Sequence, residues 1–462
     1  MLKLDYESKI PLYEQLYLAI KRDIETGEIK ANEKLPSKRN LSKMLKISAV
    51  TIESAYEQLK DEGYIYSVEK SGYFAQAISA KIQSTHPSFA IEKESQTKPN
   101  TEFVFDLRGE HADIESFPFS VWSKLSRQVL AEQPKKLLQR VPNQGLYELR
   151  GQIAEYLRKY RGIEAKSDNI IIGAGTEYLL GLLVQLLPKT VFAVENPGYK
   201  KVSQVLRANK AKLCHIPLDS DGIDIEQLQN SNANVVYITP SHHFPLGNVM
   251  PIKRRNELLS FIKRKKNGYI IEDDYDSEFR FSGRPIPTLY SIDNGENVIY
   301  FGTFTQSLCP SLRISYMLLP DRLMNKYNSE LSFYSSTVPS FEQYTLLKFI
   351  KEGYFERHLN RMRTIYKNRR DCFVTKLKQS SIGSKITVLG NNAGLSLLIK
   401  FDGISESELI KKAKENGIGI SGLSTHYIEG TEAPDGIVII GYNSLNLTEI
   451  GEVVKLLEKS WQ

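Results

Sequence analysis

The residue types best suited to chemistry form one acidic run, Glu272-Asp-Asp-Tyr-Asp276. Four carboxylates within five residues suggest a metal site, because hard cations bind oxygen ligands. No histidine or cysteine joins this run at a spacing typical of metal ligands. The run also follows an apolar segment, residues 269–271, and carboxylates after a buried strand often cap the next helix. We therefore predict no metal site, and we interpret His242 and His243 as ordinary loop histidines.

A second segment has the composition of an anion-binding turn. Gly173-Ala-Gly-Thr176 precedes an apolar stretch, residues 178–187, that predicts a helix. Backbone amides at a helix N-terminus attract anions, so Gly175 and Thr176 are candidates to hold a phosphate group. Tyr178 stands where a dinucleotide-binding fingerprint would have its third glycine. By itself such a turn is more often structural than phosphate-binding.

Residues 301–316, Phe-Gly-Thr-Phe-Thr-Gln-Ser-Leu-Cys-Pro-Ser-Leu-Arg-Ile-Ser-Tyr, resemble the lysine-bearing loop of aminotransferases that use pyridoxal phosphate. In that family the lysine forms a Schiff base with the cofactor aldehyde and then shuttles a proton. Gln306 occupies the position of the lysine. Its amide nitrogen is neither a nucleophile nor a base near neutral pH, because its lone pair is delocalised into the carbonyl. The sequence therefore predicts an aminotransferase-like scaffold without its catalytic group.

The same resemblance implies roles for four further residues. It implies that Asp273 pairs with the pyridine nitrogen of the cofactor and that the Tyr275 hydroxyl reaches the ring oxygen. It also implies that Tyr199 stacks on the ring and that Arg313 binds the phosphate. Asn443 matches a position at which many aminotransferases place an arginine that clasps a substrate carboxylate. An uncharged amide cannot form that bidentate contact, so we expect no covalent capture of amino acids.

The elements that must position these residues alternate between β-rich runs and helical stretches. This alternation predicts a mainly parallel sheet covered by helices on both faces, with ligands beyond the carboxyl ends of the strands. The predicted strands are residues 169–172, 191–194, 235–238, 269–271 and 298–301. The resemblance implies that residues 105–462 form a fold-type I aminotransferase-like domain with a smaller C-terminal α/β subdomain.

Residues 1–76 predict a winged helix-turn-helix domain, which begins with a helix that Gly27 ends. Ser37 and Ser48 are expected to cap the second and third helices. The third helix is expected to end at Gly63. The apolar spacing predicts the following inward residues: Leu12, Leu16, Ile20 and Ile24 in the first helix, Leu41, Met44 and Leu45 in the second, and Ile52, Ala55, Tyr56 and Leu59 in the third. Residues 64–68 and 72–75 predict the hairpin that forms the wing.

The net charge of this domain does not indicate DNA binding, but the distribution of its charged residues does. Residues 1–76 contain twelve basic and twelve acidic residues, whereas the stretch 34–52 contains five basic residues and no acidic one. Such a strip suits contact with DNA phosphates, although a solvated face is the usual role of a charge run. The candidate DNA-contacting residues are Lys38, Arg39, Lys43, Ser48 and Thr51, together with Lys70 and Gly72 in the wing.

Three segments of this domain, residues 35–41, 47–52 and 55–64, resemble the DNA-binding domain of the GntR family. Family members often carry an arginine directly after the serine that starts the recognition helix, whereas Ala49 stands here. The resemblance therefore implies phosphate contacts, but no base preference carries over. Together with the aminotransferase-like part, the whole chain resembles the MocR-type branch of this family. That branch implies a homodimer in which each winged helix packs against the partner's large domain.

Composition sets the remaining expectations. The chain has 462 residues, a net charge of +7 and three cysteines, an odd number that favours a reducing compartment. No signal peptide opens it, and its most apolar stretch is too short to span a bilayer. Residues 77–104 lack apolar periodicity and predict a linker. We expect a cytoplasmic protein without a membrane partner.

These observations predict a DNA-binding transcriptional regulator that binds a promoter operator as a homodimer. Its aminotransferase-like domain is expected to be catalytically degenerate and to sense an unknown small-molecule effector. Pyridoxal phosphate would bind without a covalent bond, or not at all. Two alternatives remain open: a regulator that senses non-covalently bound pyridoxal phosphate, and an active aminotransferase with a DNA-binding domain.

Overall fold

The computed structural model describes residues 4–6, 8, 10–77, 103–109, 113, 115–281, 286–390 and 393–462. The chain divides into two compact units, residues 1–100 and residues 101–462. Of the predicted linker, all but residues 77, 103 and 104 lies outside the described residues.

The first unit contains three helices and a hairpin, as predicted. The elements are α1 (Leu12–Glu25), α2 (Lys38–Leu45), α3 (Ala49–Asp61), β1 (Ile65–Val68) and β2 (Gly72–Ala75), with β1 and β2 antiparallel. Ser37 and Ser48 cap α2 and α3, because their side chains accept hydrogen bonds from the amides of Asn40 and Thr51. Gly63 has a positive φ of 75° just beyond the end of α3, a conformation that glycine adopts without strain.

Most of the predicted core of the first unit is confirmed. Leu16, Ile52 and Leu59 are completely buried between the helices. The prediction that Met44 faces inward is wrong, because its side chain is 73% exposed. Leu41 and Leu45 lie one turn apart and take the inward face of α2, and Met44 is rotated by about 100° from Leu45 around the helix.

The second unit is built on fourteen strands within the described residues. In chain order they are β3 (Phe105–Asp106), β4 (Ile170–Gly173), β5 (Val191–Asn196), β6 (Lys212–Asp219), β7 (Gly222–Ile223), β8 (Val235–Ile238), β9 (Tyr269–Asp274), β10 (Val298–Thr303), β11 (Ser315–Leu318), β12 (Ile386–Leu389), β13 (Ser396–Phe401), β14 (Ile418–Gly419), β15 (Ser421–Gly422) and β16 (Ile437–Gly441).

The large sheet has the order β4-β11-β10-β9-β8-β5-β6-β7. Neighbouring strands from β10 through β9, β8 and β5 to β6 are parallel, whereas β11 is antiparallel to both β10 and β4. The five predicted strands are all present. The sequence did not predict β6 or the antiparallel strand β11.

Helices cover both faces of this sheet. In chain order the helices of the second unit are α4 (Phe119–Glu132), α5 (Pro134–Leu137), α6 (Tyr147–Arg161), α7 (Thr176–Leu186), α8 (Lys200–Ala208), α9 (Ile225–Asn230), α10 (Ile252–Lys263), α11 (Leu289–Asp293), α12 (Asp321–Glu330), α13 (Ser340–Lys351), α14 (Tyr354–Gln379), α15 (Glu406–Glu415) and α16 (Leu447–Trp461). One apolar core packs α4, α6, α10 and α13 on one face, and another packs α7, α8 and α12 on the opposite face. Since successive strand residues point to opposite faces, each buried strand contributes to both cores.

A smaller sheet forms the predicted C-terminal subdomain. Its antiparallel strands have the order β12-β13-β16-β15, and α14, α15 and α16 contribute to its core. The short strand β14 pairs with β3 in parallel, which joins the beginning of the second unit to this subdomain. Among the described residues, no helix has the length and apolar character needed to cross a membrane.

Candidate functional site

The first unit exposes several of the predicted DNA-contacting residues on α2 and at the start of α3. Arg39 and Lys43 are exposed on α2. Ser48 Oγ accepts a hydrogen bond from the Thr51 amide at 3.1 Å and lies 2.8 Å from Thr51 Oγ1. This arrangement places two hydroxyls and two cations where phosphate groups can reach them.

Lys38 differs from Arg39 and Lys43 because its side chain is half-buried and pairs with a carboxylate of the same domain. Its Nζ lies 2.5 Å from Glu53 Oε1 and 5.6 Å from the centre of the Tyr73 ring. The hydrogen bond to Glu53 raises the pKa of Lys38 above its ordinary value. Lys38 therefore links α2 to α3 and the wing, and a phosphate contact would have to share it with Glu53.

The wing turn contains Lys70 at a φ of 59° and Gly72 at a φ of 116°. Lys70 is exposed, and Gly72 lies beside Lys34, whose Cε is 3.5 Å from the position that a Cβ would take. Sequence reasoning missed two exposed apolar side chains, Met44 and Val50, which are 73% and 69% exposed. Val50 lies in the first turn of α3, where an apolar side chain can contact thymine methyl groups.

The predicted anion-binding turn of the second unit is closed by an ion pair. Gly175 precedes α7 at a φ of 96°, and a Cβ there would lie 2.1 Å from Arg313 Nη2. Only glycine leaves room for the guanidinium at this position. Arg313 Nη2 donates to Glu177 Oε2 at 2.5 Å, and Lys201 Nζ lies 3.1 Å from Glu177 Oε1. Thr176 is the first residue of α7, so the turn, Arg313 and Glu177 meet at one helix terminus.

Glu177 is the residue of this turn that sequence reasoning missed. Burial raises the pKa of its carboxyl, but its own backbone amide, Arg313 and Lys201 lower it more, so the pKa lies below the ordinary value. Glu177 is therefore an anion at the place where the resemblance predicts a phosphate. Its position as the second residue of a helix was the available signal, since acidic residues are favoured there.

Asp273 lies near the carboxyl end of β9, buried beneath the surface. Its Oδ2 accepts a hydrogen bond from the Tyr237 hydroxyl, whereas its Oδ1 is buried without a hydrogen-bond partner. Burial raises the pKa of Asp273 to about 7. A buried carboxylate oxygen without a partner fits the protonated nitrogen of a pyridine ring.

Tyr275 and His242 form a hydrogen-bonded group beside Asp273. The Tyr275 hydroxyl lies 3.0 Å from His242 Nδ1, which lies 2.8 Å from Asp276 Oδ2. Burial lowers the pKa of His242, but the Asp276 carboxylate raises it more, so the pKa lies above the ordinary value. His242 and His243 lie in the loop after β8, as predicted, but both are buried, with only 8% and 5% of their surface exposed. Strand β8 ends just before them and next to β9, so both rings turn into the protein.

The remaining predicted residues lie at the same edge of the sheet. The rings of Tyr199 and Phe244 pack edge-to-face with their centres 5.5 Å apart. The rings of Phe244 and Tyr275 pack in the same way with their centres 6.2 Å apart. Phe301 of β10 pairs with Asp273 of β9, and the chain then turns at Gln306, whose side chain is exposed. Two residues at this edge fit pyridoxal phosphate: Asp273 can pair with a ring nitrogen, and Arg313 can pair with a phosphate group.

Asn443 lies in the smaller subdomain, just beyond the end of β16. It is 5% exposed, and its backbone carbonyl accepts a hydrogen bond from Arg369. Arg369 also pairs with Asp113 at 2.6 Å. The positive charge near position 443 therefore comes from α14, and a buried carboxylate already neutralises it.

Two family models match the chain. The family "Aminotransferase class I and II" matches residues 109–432, and "Bacterial regulatory proteins, gntR family" matches residues 12–74. A crystal structure of Pyrococcus horikoshii kynurenine aminotransferase superposes with a TM-score of 0.66 at 24% identity, over 77% of this chain and 90% of that enzyme. This likeness confirms the predicted fold class.

Relatives match along nearly the whole chain. The HTH-type transcriptional regulator YdeL of Bacillus subtilis is 39% identical over 98% of this chain and 97% of its own length. The probable rhizopine catabolism regulatory protein MocR of Rhizobium meliloti is 31% identical over 100% of this chain and 96% of its own length. The pyridoxine biosynthesis regulator PdxR of Corynebacterium glutamicum is 28% identical over 96% of each chain. This protein thus belongs to the MocR-type branch of the GntR family, HTH-type transcriptional regulators that combine a DNA-binding domain with an aminotransferase-like domain.

Proposed function

We propose that the aminotransferase-like domain of this DNA-binding regulator senses a small molecule and does not catalyse amino transfer. The observation that carries the proposal is Gln306, an exposed amide in the turn after β10, at the position that the sequence resemblance matches to the lysine of aminotransferases. A glutamine supplies neither the nucleophile nor the base that amino transfer requires. Asn443 supports the same conclusion, since it cannot grip a substrate carboxylate as an arginine does.

Pyridoxal phosphate is the cofactor that the site residues fit, and when bound it supplies an aldehyde and an electron-accepting ring. Asp273 would accept a hydrogen bond from the ring nitrogen, and Arg313 would bind the phosphate beside Gly175. Tyr275 would donate to the ring oxygen, and the exposed ring of Tyr199 would cover one face of the cofactor. Each residue would position the cofactor through non-covalent contacts, and none of them would form a covalent bond to it.

The strength of such binding is modest. Charge-assisted hydrogen bonds from Asp273 and Arg313 contribute roughly 1.5–3 kcal/mol each, with Arg313 at the lower end because its side chain is 46% exposed. Stacking on Tyr199 adds about 1 kcal/mol. A micromolar affinity needs about 8 kcal/mol, so these contacts predict weak, reversible binding.

We further propose that the regulator works in the cytoplasm as a homodimer that binds a promoter operator. The free cysteines Cys214, Cys309 and Cys372 suit a reducing compartment. In a dimer, two winged helices would contact two half-sites, so the operator should contain two related half-sites. Light scattering of the full-length protein, alone and with operator DNA, measures this stoichiometry.

The proposal is tested by two assays on the same preparation. The full-length protein, supplied with pyridoxal phosphate, amino donors and a keto acid, should produce no keto product above the rate without protein. The same preparation should bind duplex DNA in a mobility-shift assay. Steady turnover with any donor would refute the non-enzymatic role and favour the active aminotransferase.

A further inference from the structure

We propose that the second unit contains a separate site for a small amino acid zwitterion, on the face of the large sheet opposite Asp273. The site is a cavity of about 220 Å³ between the end of α6, the segment after β9 and helix α14. We call it the arginine cavity. Its lining residues are Arg161, Arg280, Arg363, Glu278, Ser277 and the tyrosines Tyr156 and Tyr160.

We call the group of Asp273, Tyr199 and Arg313 the cofactor-like site. The arginine cavity is distinct from it because neighbouring residues of β9 point in opposite directions. Asp273 accepts a hydrogen bond from Tyr237 on one face of the sheet. Asp274 points to the other face, where its Oδ2 lies 2.7 Å from Arg161 Nη2 and 2.5 Å from the Tyr300 hydroxyl. Arg161 is thus held at the rear of the arginine cavity by a buried carboxylate.

Four polar atoms of the residues that line the cavity are buried without hydrogen-bond partners. They are Arg161 Nε, Arg280 Nε, Glu278 Oε2 and the Tyr160 hydroxyl. Arg161 is only 8% exposed, so water in the bulk solvent does not satisfy its Nε. Buried donors and acceptors without partners are rare in folded proteins, so these atoms are available to hydrogen-bond a ligand.

The other polar contacts orient these groups rather than satisfy them. Glu278 Oε1 accepts a hydrogen bond from the Tyr156 hydroxyl at 3.1 Å, which leaves its Oε2 for a ligand. Arg363 Nε donates to the Glu278 backbone carbonyl at 2.7 Å, and its Nη1 donates to Asn360 Oδ1 at 3.1 Å. The carboxylate and the guanidinium groups therefore have set positions around one space.

The charges identify the class of ligand. Three guanidinium groups and one carboxylate line the cavity. The buried carboxylate of Asp274 neutralises the charge of Arg161 through their ion pair. A ligand carboxylate can accept from Arg280 and Arg161 Nε, and a ligand ammonium can donate to Glu278 Oε2. A simple anion would leave Glu278 without a partner. The cavity of about 220 Å³ is many times larger than the roughly 10–15 Å³ that one water molecule needs, so it has room for a small amino acid.

Calorimetric titration of the full-length protein with each of the twenty standard amino acids tests this site. We expect at least one small amino acid to bind. Arg280→Gln should weaken that binding at least tenfold, because it removes the guanidinium group that would bind the carboxylate of the ligand. Lys367→Gln is the matched control, since Lys367 is exposed on α14, the helix that carries Arg363, and this variant should bind as the wild type does. Arg161 stays unchanged in all variants, because its loss would leave Asp274 buried without a countercharge.

Glu278→Gln tests recognition of the ammonium group of the ligand separately from recognition of its carboxylate. It should weaken binding of the amino acid at least tenfold, whereas binding of the N-acetyl derivative, which lacks the ammonium group, should be weak in both proteins. Thermal unfolding checks that each variant is folded. If Arg280→Gln proves unfolded, Arg363→Gln replaces it and should also weaken binding.

Three outcomes would overturn the proposal. The first is that none of the twenty amino acids binds to the wild type, so that the cavity holds water only. The second is that folded Arg280→Gln and Glu278→Gln proteins bind as the wild type does. The third is that Tyr199→Ala with Arg313→Gln abolishes binding, which would place the amino acid in the cofactor-like site. The first two outcomes leave the non-enzymatic role of the domain intact, so the two proposals fail separately.

Discussion

Glu177 occupies the anion site that a cofactor phosphate would need, so removing its charge should strengthen binding of pyridoxal phosphate. Its carboxylate accepts from Arg313 Nη2 at 2.5 Å and lies 3.1 Å from Lys201 Nζ at the start of α7. A phosphate that enters this turn must take Arg313 from Glu177. The substitution Glu177→Gln keeps the shape of the side chain and removes the competing charge.

The size of the effect follows from the exposure of the pair. The side chains of Arg313 and Glu177 are 46% and 29% exposed, so water screens their attraction. Exposed ion pairs contribute about 0.2–1 kcal/mol to stability. With a gain near the upper half of that range, Glu177→Gln should lower the Kd for pyridoxal phosphate about two- to fivefold.

Fluorescence titration with pyridoxal phosphate and with pyridoxal, which lacks the phosphate, measures this gain. Only pyridoxal phosphate should bind more tightly to Glu177→Gln. Glu148→Gln is the matched control, because Glu148 is exposed and is likewise the second residue of a helix, α6. An unchanged Kd for pyridoxal phosphate, or an equal gain for pyridoxal, would refute the competition between Glu177 and phosphate.

Two further predictions concern Arg39 and Asp273. Arg39→Ala should weaken DNA binding to a similar extent on all sequences and reduce the salt slope by about one unit, whereas Lys459→Ala in the second unit should leave both unchanged. Unchanged affinity of Arg39→Ala would show that Arg39 does not contact phosphate. Burial raises the pKa of Asp273 from 3.8 to about 7, so its contribution to stability is complete below about pH 4 and is lost as the pH rises through 7. Asp273→Asn should flatten the fall in unfolding free energy between pH 4 and 8, by at most about 4 kcal/mol, and equal urea-unfolding profiles would contradict this.

The first unit was predictable in detail because local rules decide its structure. Ser37 and Ser48 cap helices through hydrogen bonds to residues three positions ahead, and apolar spacing selects the buried face. The pairing of Lys38 with Glu53 was not predictable, since these residues lie fifteen positions apart and meet only when α2 packs on α3. The prediction that Met44 faces inward was wrong because α2 is a short helix of eight residues, and Leu41 and Leu45 already take its inward face.

The second unit shows where sequence reasoning ends. Strand β9, which carries Asp273, and strand β10, which precedes the turn at Gln306, were predictable from apolar runs, and the alternation of strands with helices indicated the parallel sheet. The contacts of Tyr237 with Asp273 and of His242 with Tyr275 depend on β8 lying beside β9, which spacing along the chain does not reveal. The antiparallel strand β11 was not predicted, because it directly follows Arg313 and its first residues were assigned to the same loop.

The central claim is that this regulator forms no covalent bond to pyridoxal phosphate because Gln306 replaces the lysine. Wild type and Gln306→Lys should be incubated with pyridoxal phosphate, reduced with borohydride, digested and analysed by mass spectrometry. We expect no pyridoxyl adduct on residues 301–313 of the wild type. We expect an adduct at position 306 of Gln306→Lys, because Asp273 and Arg313 would hold the cofactor within reach of the new amine. A pyridoxyl adduct on residues 301–313 of the wild type would contradict the claim.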